Sequence, residues 1–500
     1  MEQMKLTLFG SKSDTKGAKR GGPPNRMNNL VYRDWMKFQK SFFRHVSSQS
    51  LVEECIYFFT KSLWPDGQPS RSLIIDVENF DASAIPSPRS VDTYNRSKSL
   101  TDVVDRLQNL AKSDKKYDFV MVDLRSHIKD PESLSLFLGN YSDEMFHTIR
   151  QLLVPQRYCS VLVGMEEEGG SGFPLPWAVA LSCRSHLKLR DEKVGLVENE
   201  GRVFYCLFMQ ANNDERPASL LTPARIRLAR TQQIIPGWII PTPPPRKPNE
   251  ILHPAKYPET LVTEFIKLFT DPGDNVFDPM VGTGSTVIAA IKTERNGYGV
   301  DLIPGFVDIA NERLAEEINT PVLFHEPQPR ALIIQGDAMK LNEITDLSGM
   351  KFNYTITSPP YWSMLTNPGS ENQKARRKKK LPLVYSQDER DLGNVQDYDR
   401  FLEGIESVYS QVATKLVDGG LLTVIVKNVK RHHILYPLAW DLCFKLCGSD
   451  GKYDYLGTTL WCQDDIGLKP FAVGIHWVSN TLHHYCLHFR KRQRRSSASL

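Results

Sequence analysis

The stretch FDPMVGTGST, Phe277 to Thr286, decides how this chain is read. The run NVFDPM that includes its start is strand-like, and the TVIAAIKTE at its end has the apolar spacing of a helix, so the glycines sit at a strand-to-helix turn. Glycine lets the backbone approach a ligand closely, and the first turn of the next helix presents free N–H groups. In open α/β sheets ligands bind beyond the carboxyl ends of the strands. The loop is therefore read as a cofactor cradle, against the plainer alternative of a tight turn. A phosphate-binding P-loop is excluded because no Lys follows Gly284, and a dinucleotide fingerprint because Val287 stands where its third glycine would be. Asp278, just before the loop, does not suit a pyrophosphate and does suit a ligand carrying an ammonium group.

Working outward, strand and helix patterns alternate. Helix ETLVTEFIKLF precedes the loop; strand YGVDL (Tyr298 to Leu302), helix FVDIANERLAEEI, strand ALIIQGDA and strand NYTITSPPY follow it. Beyond a charged loop come helix DYDRFLEGIESVYSQVATKL, strand GLLTVIV, a helix from about Tyr436 to Cys447, and two strands near Asp454 to Cys462 and Thr481 to Phe489. Such alternation predicts a mostly parallel sheet covered on both faces and closed by an antiparallel hairpin. Asp301 ends one strand, where a carboxylate can accept from both ribose hydroxyls. Asp337 ends another and can meet an adenine amino group. Acids at the strand ends around one glycine loop describe a nucleoside joined to an amino acid, a description S-adenosylmethionine fits.

The second motif is TSPPYW, Thr357 to Trp362. Consecutive prolines fix the backbone and remove two N–H donors, leaving carbonyls free to accept. Such a turn can aim the Ser358 hydroxyl and the Pro359 carbonyl at one amino group while Tyr361 offers a ring for stacking. A rigid turn without chemistry is the alternative.

FDPMVGTGST together with TSPPYW closely resembles the DNA amino-methyltransferases, which methylate cytosine N4 or adenine N6. HPAKYPETLVTEFI, His253 to Ile266, is similar to a further cofactor motif of that family. The resemblance covers about residues 240 to 490 and implies a Rossmann-like class I methyltransferase fold with S-adenosylmethionine as methyl donor. It implies that Asp278, Pro279, Gly282, Gly284, Ser285 and Thr286, with His253, Pro254 and Tyr257, surround the methionine end. Asp301 would hold the ribose, and Asp337 with Ala338 the adenine. Ser358, Pro359, Pro360 and Tyr361 would be catalytic. Serine at the first motif position, where adenine enzymes commonly carry Asp, favours cytosine, although some serine-type members break that rule. The partner implied is double-stranded DNA with the target base flipped out, and Trp362 is a candidate for stacking on it. The run KARRKKK (Lys374, Arg376, Arg377, Lys378, Lys379, Lys380) is a candidate phosphate contact or a solvated loop. No metal is expected, since the sulfonium is itself the electrophile. An amino group of RNA as substrate, or a DNA-binding subunit without turnover in a modification or defence complex, are the other readings.

The first half carries no glycine loop. Trp35, Phe38, Phe42 and Phe43 recur at helical spacing, and SLIIDV, YDFVMVDL, CSVLVGM and RVFYCLFMQ are strand-like, giving an α/β or α+β region. YDFVMVDLRSH, LLVPQRYCSVLVG and FYCLFMQ echo FNYTITSPPYW, KLVDGGLLTVIV and HYCLHFRK of the second half. A decayed duplicate, or the general likeness of α/β segments, explains the echo; VDLRSH in place of TSPPYW argues against catalysis there. The prolines of IPGWIIPTPPPRKPNEILHP, Ile235 to Pro254, mark the boundary. The expected organisation is a basic N-terminus (1–28), an α/β region (29–240), a catalytic domain (241–490) and a basic tail (491–500).

Composition is that of a folded protein: 41% of 500 residues are hydrophobic and 24% charged. The net charge is only +4, so attraction to a polyanion must come from local clusters. The eight cysteines show no CxxC pair, which suggests buried thiols in a reducing compartment. No apolar run of membrane-spanning length occurs, and the expected location is the cytoplasm, at the nucleoid if the source is prokaryotic.

Overall fold

The computed structural model describes residues 27–45, 47–95, 97–165, 175–197, 202–211, 238–239, 257–319, 328–362, 388–431, 434–448, 451–463, 468 and 476–493. The first half runs α1 (Tyr32–Lys37), β1 (Phe42–His45), α2 (Ser48–Phe59), β2 (Arg71–Ile75), β3 (Ser90–Tyr94), α3 (Leu100–Ala111), β4 (Tyr117–Asp123), α4 (Pro131–Asn140), α5 (Ser142–Leu152), β5 (Leu153–Gly164), α6 (Leu175–Ser182), β6 (Lys188–Val197) and β7 (Arg202–Gln210). The second half opens with β8 (Trp238–Ile239), α7 (Glu259–Phe269), β9 (Asn275–Asp278), α8 (Ser285–Lys292), β10 (Asn296–Asp301), α9 (Pro304–Ile318) and β11 (Ala331–Gln335). It continues through β12 (Phe352–Thr357), α10 (Tyr398–Lys415), β13 (Leu416–Val426), β14 (Val429–Arg431), β15 (Ile434–Tyr436), α11 (Leu438–Cys447), β16 (Tyr453–Cys462) and β17 (His483–Lys491).

The second half builds an eight-stranded sheet in the order β11-β10-β9-β12-β13-β17-β16-β8. Its strands are parallel from β11 to β13, and β17 is antiparallel to both of its neighbours, as the alternating pattern and late hairpin predict. Strand order reverses between β9 and β12: β10 and β11 are laid down on one side of β9, then β12 on the other. That leaves a crevice at the carboxyl ends of these two strands.

The first half forms a seven-stranded sheet, β3-β2-β4-β5-β7-β6-β1. Numbering β9, β10, β11, β12, β13, β16 and β17 from one to seven gives the order 3-2-1-4-5-7-6, and the first half repeats it without strand three. Each sheet also ends on a short strand parallel to its sixth: β1 on β6, β8 on β16. Even the irregularities match. The β12–β13 register slips between Phe352 and Tyr354, opposite Leu416 and Leu421; β4–β5 slips between Tyr117 and Phe119, opposite Leu153 and Tyr158. A second slip falls between Tyr455 and Gly457 in β16 and between Leu189 and Asp191 in β6. The echo seen in the sequence is thus a repeated fold in matching register, and internal duplication accounts for it better than the general likeness of α/β segments.

One expectation is corrected. Phe42 and Phe43 do not continue the helix of Trp35; α1 stops at Lys37, and Phe42 pairs with Val194 in a parallel ladder. The aromatic spacing fits either period over so short a span, and the free edge of β6 decides.

The halves share one core. Trp177 of α6 stacks on Trp440 of α11 and packs edge-on against Tyr485. From the second half, Trp477 enters a nest of Phe38, Phe58, Phe59 and Phe208. All eight cysteines are buried and free. Among the described residues no helix is long and apolar enough to cross a membrane.

Candidate active site

The glycine loop is held from beneath and from the side. The Asp278 carboxylate is wholly buried; its Oδ2 accepts from the Tyr257 hydroxyl at 2.7 Å and the Thr286 hydroxyl at 2.6 Å, and its Oδ1 from the Met280 amide. Burial pushes its pKa up, while the hydrogen bonds it accepts pull the other way. Asp278, Tyr257 and Thr286 therefore form the brace under the loop, and the cleft wall is made by their neighbours Pro279, Met280 and Gly282.

Gly284 caps α8 in the left-handed region at φ 87°, and a Cβ there would stand 3.1 Å from the Ala310 Cβ. Glycine is needed at this turn because both the conformation and the approach of α9 exclude a side chain. Ser285 and Thr286 follow as the first residues of α8, both buried.

Asp301, at the tip of β10, accepts the Gly282 amide at 2.8 Å and the Ile303 amide at 2.9 Å, tying the neighbouring strand to the loop. Burial raises its pKa to about 6 against the lowering effect of those two bonds. Asp337 accepts the Met339 amide with Oδ1, and Ala338 packs beside it.

On the other side of β9, β12 carries the proline turn out of the sheet, with Thr355 opposite Phe277. Ser358 Oγ lies 3.1 Å from the Tyr361 hydroxyl. Pro359 is buried and Pro360 lines the cleft. Tyr361 is 5% exposed; burial pushes its phenol well up, and its ring faces the Lys427 ammonium at 5.7 Å and the His484 ring at 6.1 Å. Trp362 departs from the expectation of a base-stacking ring. It is 3% exposed, enclosed by Tyr398, Tyr436 and the Arg431 guanidinium, with its indole N–H donated to the Gln396 carbonyl. It anchors the turn from behind.

One cleft joins the two motifs: Pro279, Gly282, Asp301, Asp337 and Ala338 line it together with Ser358 and Pro360. Sequence reading missed the apolar wall formed by Leu302, Ile303, Phe306 and Met339, and the rim formed by Arg390, Asp391 and Leu392. Ile303 and Phe306 follow Asp301 directly, which is a usable signal. The rim belongs to DERDLGN, separated from the turn in sequence by the charged stretch 363–387. Asp397 caps α10, accepting the Arg400 amide. His253, Pro254 and the run Lys374 to Lys380 lie outside the described residues. No group of metal-ligating side chains occurs among the described residues.

In the first half the matching strand tips are closed by an Arg–Asp ion pair and a His–Asp contact. Register places Asp123 at the position of Ser358, and Arg125 binds its carboxylate through Nε and Nη2, the latter at 2.7 Å. His127 meets Asp76 at 2.9 Å, and Asp76 also accepts from Ser97.

A glycine loop and acidic strand tips at the switch point of such a sheet define a Rossmann-like methyltransferase fold. The profile of the DNA methylase family, N6_N4_Mtase, matches residues 25–312, and the chain belongs to that family, whose methyl donor is S-adenosylmethionine. The match begins in the first half, which sequence reading had assigned to no family. Similar curated proteins include the type II methyltransferase M.BglI of Bacillus subtilis, 36% identical over 77 residues, which are 15% of this chain and 21% of that protein. The orphan methyltransferase M.BamHII of Bacillus amyloliquefaciens is 41% identical over 66 residues, 13% of this chain and 25% of that protein. The chain thus spans about a fifth to a quarter of the length of these relatives. Among solved structures, an rRNA methylase from Streptococcus thermophilus is 11% identical with a TM-score of 0.28, covering 48% of this chain and 98% of that one.

Proposed function

We propose that this protein transfers a methyl group from S-adenosylmethionine to the exocyclic amine of a DNA base turned out of the duplex, cytosine N4 in preference to adenine N6. The observation that carries this reading is the shared cleft in which Asp301 and Asp337 face Ser358 and Pro360 across the tip of β9. The residues fit the cofactor. The Asp301 carboxylate is placed for ribose hydroxyls, Asp337 for an amino group, and Ile303, Phe306 and Met339 for the faces of a purine. Gly282 brings its backbone to the cleft wall without a side chain.

S-adenosylmethionine, when bound, supplies a sulfonium-borne methyl group as electrophile. The work of the chain is to make a poor nucleophile competent. The lone pair of an exocyclic amine is delocalised into its ring. Acceptance of its N–H protons by the Ser358 hydroxyl and the Pro359 carbonyl localises that pair toward the methyl carbon. Tyr361 fixes the Ser358 rotamer through the 3.1 Å hydroxyl contact, so that positioning and electrostatics supply the acceleration. Turning out the base costs a few kcal/mol, and with Trp362 enclosed and Tyr361 buried the rings of the turn are not open to stack on it, so phosphate contacts must add affinity. The Lys374 to Lys380 run, following the catalytic turn in sequence, is proposed for that role.

The test is transfer of labelled methyl from cofactor to DNA by the purified protein, with RNA as the parallel substrate and digestion to identify the base. Methylcytosine in DNA is the expected product. Labelling of RNA alone, or of neither polymer across varied sequences, overturns the proposal.

A further inference from the structure

The segment after β13, KNVKR (Lys427 to Arg431), touches the catalytic turn on one side and the first half on the other. Toward the turn, Lys427 Nζ sits 5.7 Å from the centre of the Tyr361 ring, and the Arg431 guanidinium 5.1 Å from that of Trp362. Toward the first half, Asn428 Nδ2 donates to Glu192 Oε1 at 2.6 Å, and the Lys430 ammonium pairs with Asp191. These contacts are interior ones: Asp191 is 0%, Glu192 1% and Asn428 2% exposed. The Asn428 amide works at both ends, its Oδ1 accepting the Ala439 amide at the start of α11 at 2.9 Å. Lys430 donates further to the Ser479 carbonyl and hydroxyl, and Asp191 accepts the Ser479 amide.

Buried carboxylates are costly unless paired, and these find partners in the other half. The strand does not need them for its own construction. β16 holds the same place in the second sheet, and at the positions matching Asp191 and Glu192 it carries Gly457 and Thr458. The acids thus serve the junction between the halves.

We propose that the first half is a built-in activator of the second, with Asp191 and Glu192 as positioning residues that hold Lys427 to Arg431 against Tyr361 and Trp362. The proposal rests on the methyl-transfer reading of the same cleft. Loosening this segment leaves the cofactor cradle of β9, β10 and β11 untouched and frees the turn that carries Ser358. The effect therefore falls on the rate of transfer and leaves cofactor affinity alone.

The experiment compares Glu192→Ala, Glu192→Gln and wild type in single-turnover methyl transfer to DNA, with cofactor affinity by calorimetry and the thermal melt recorded for each. Glu192→Ala is expected to slow transfer by about tenfold or more, the scale of effect that misplacing a reacting group produces, with cofactor affinity and a cooperative melt retained. Glu192→Gln keeps an acceptor for Asn428 and is expected to restore most of the rate. Wild-type turnover in Glu192→Ala, or equal loss in both variants, overturns the proposal. Should Glu192→Ala fail to fold, Asn428→Ser cuts the same bond from the other end without burying a new charge. Slow transfer by that variant with intact cofactor binding supports the proposal; an unchanged rate overturns it. A wild-type protein that moves no methyl group onto any substrate instead overturns the function proposed above.

Discussion

Trp177 and Trp440 lie ring on ring, centroids 5.9 Å apart and planes 21° from parallel, at the junction of the two halves. They stand at matching places, Trp177 in FPLPW and Trp440 in YPLAW, each opening the helix that follows the fifth strand of its sheet. Two residues at matching places thus meet across the junction, so the two halves pack through matching helices, as the subunits of a two-fold dimer would.

Truncating either ring should therefore loosen both halves together. Trp177→Ala is expected to lower stability by about 3–5 kcal/mol, the usual cost of deleting a buried tryptophan. The denaturant melt should stay a single transition. Two separated transitions in the wild type would show the halves to be independent.

Ser358→Ala removes the side-chain acceptor for the target amine and leaves the cradle untouched. Methyl transfer should fall by about a hundredfold or more, as for loss of one preorganised polar group in a site of this kind. Cofactor affinity should remain within about twofold of wild type in calorimetry. A loss of cofactor binding would place Ser358 in the cradle instead.

Gly284→Ala must carry a side chain at φ 87° and press on Ala310. The left-handed conformation alone costs about 1–2 kcal/mol. The expected outcome is a lower melting temperature and a cofactor affinity weakened by about tenfold or more, since the displaced turn faces the cleft. Unchanged affinity would count against the cradle.

The pH dependence of cofactor binding should report Asp301. Its pKa is raised to about 6, so the carboxylate that accepts ribose hydroxyls is fully formed only above that value. Affinity is expected to be flat above about pH 7 and to fall as pH drops through 6, by up to about tenfold per unit. For folding the sign is opposite. The folded state holds this proton to higher pH than the unfolded chain, so the stability contributed by this group is present in acid and lost as pH rises through about 6. Titration calorimetry from pH 5 to 8 checks the first statement, and a level affinity sinks it.

The second sheet was legible because its strands obey simple rules: apolar runs separated by helical periods, with chemistry at the carboxyl tips. The first sheet was legible only in part. β6 went unread because Arg190, Asp191, Glu192 and Lys193 look like a solvated surface, whereas all four are buried, Asp191 and Glu192 against the other half. Burial of charge at a junction cannot be inferred from a local pattern when the compensating groups lie more than two hundred residues away. Asp278 was read from its position at a strand tip, but whether its side chain turns into the cleft or under the loop depends on Tyr257 and Thr286. Trp362 was assigned to stacking from its place in the motif; Tyr398 and Tyr436, distant in sequence, enclose it.

The covalent joining of two such folds has a kinetic consequence. Partners on one polypeptide cannot be parted by dilution, so the specific activity of this protein should be independent of its concentration down to the lowest amounts assayed.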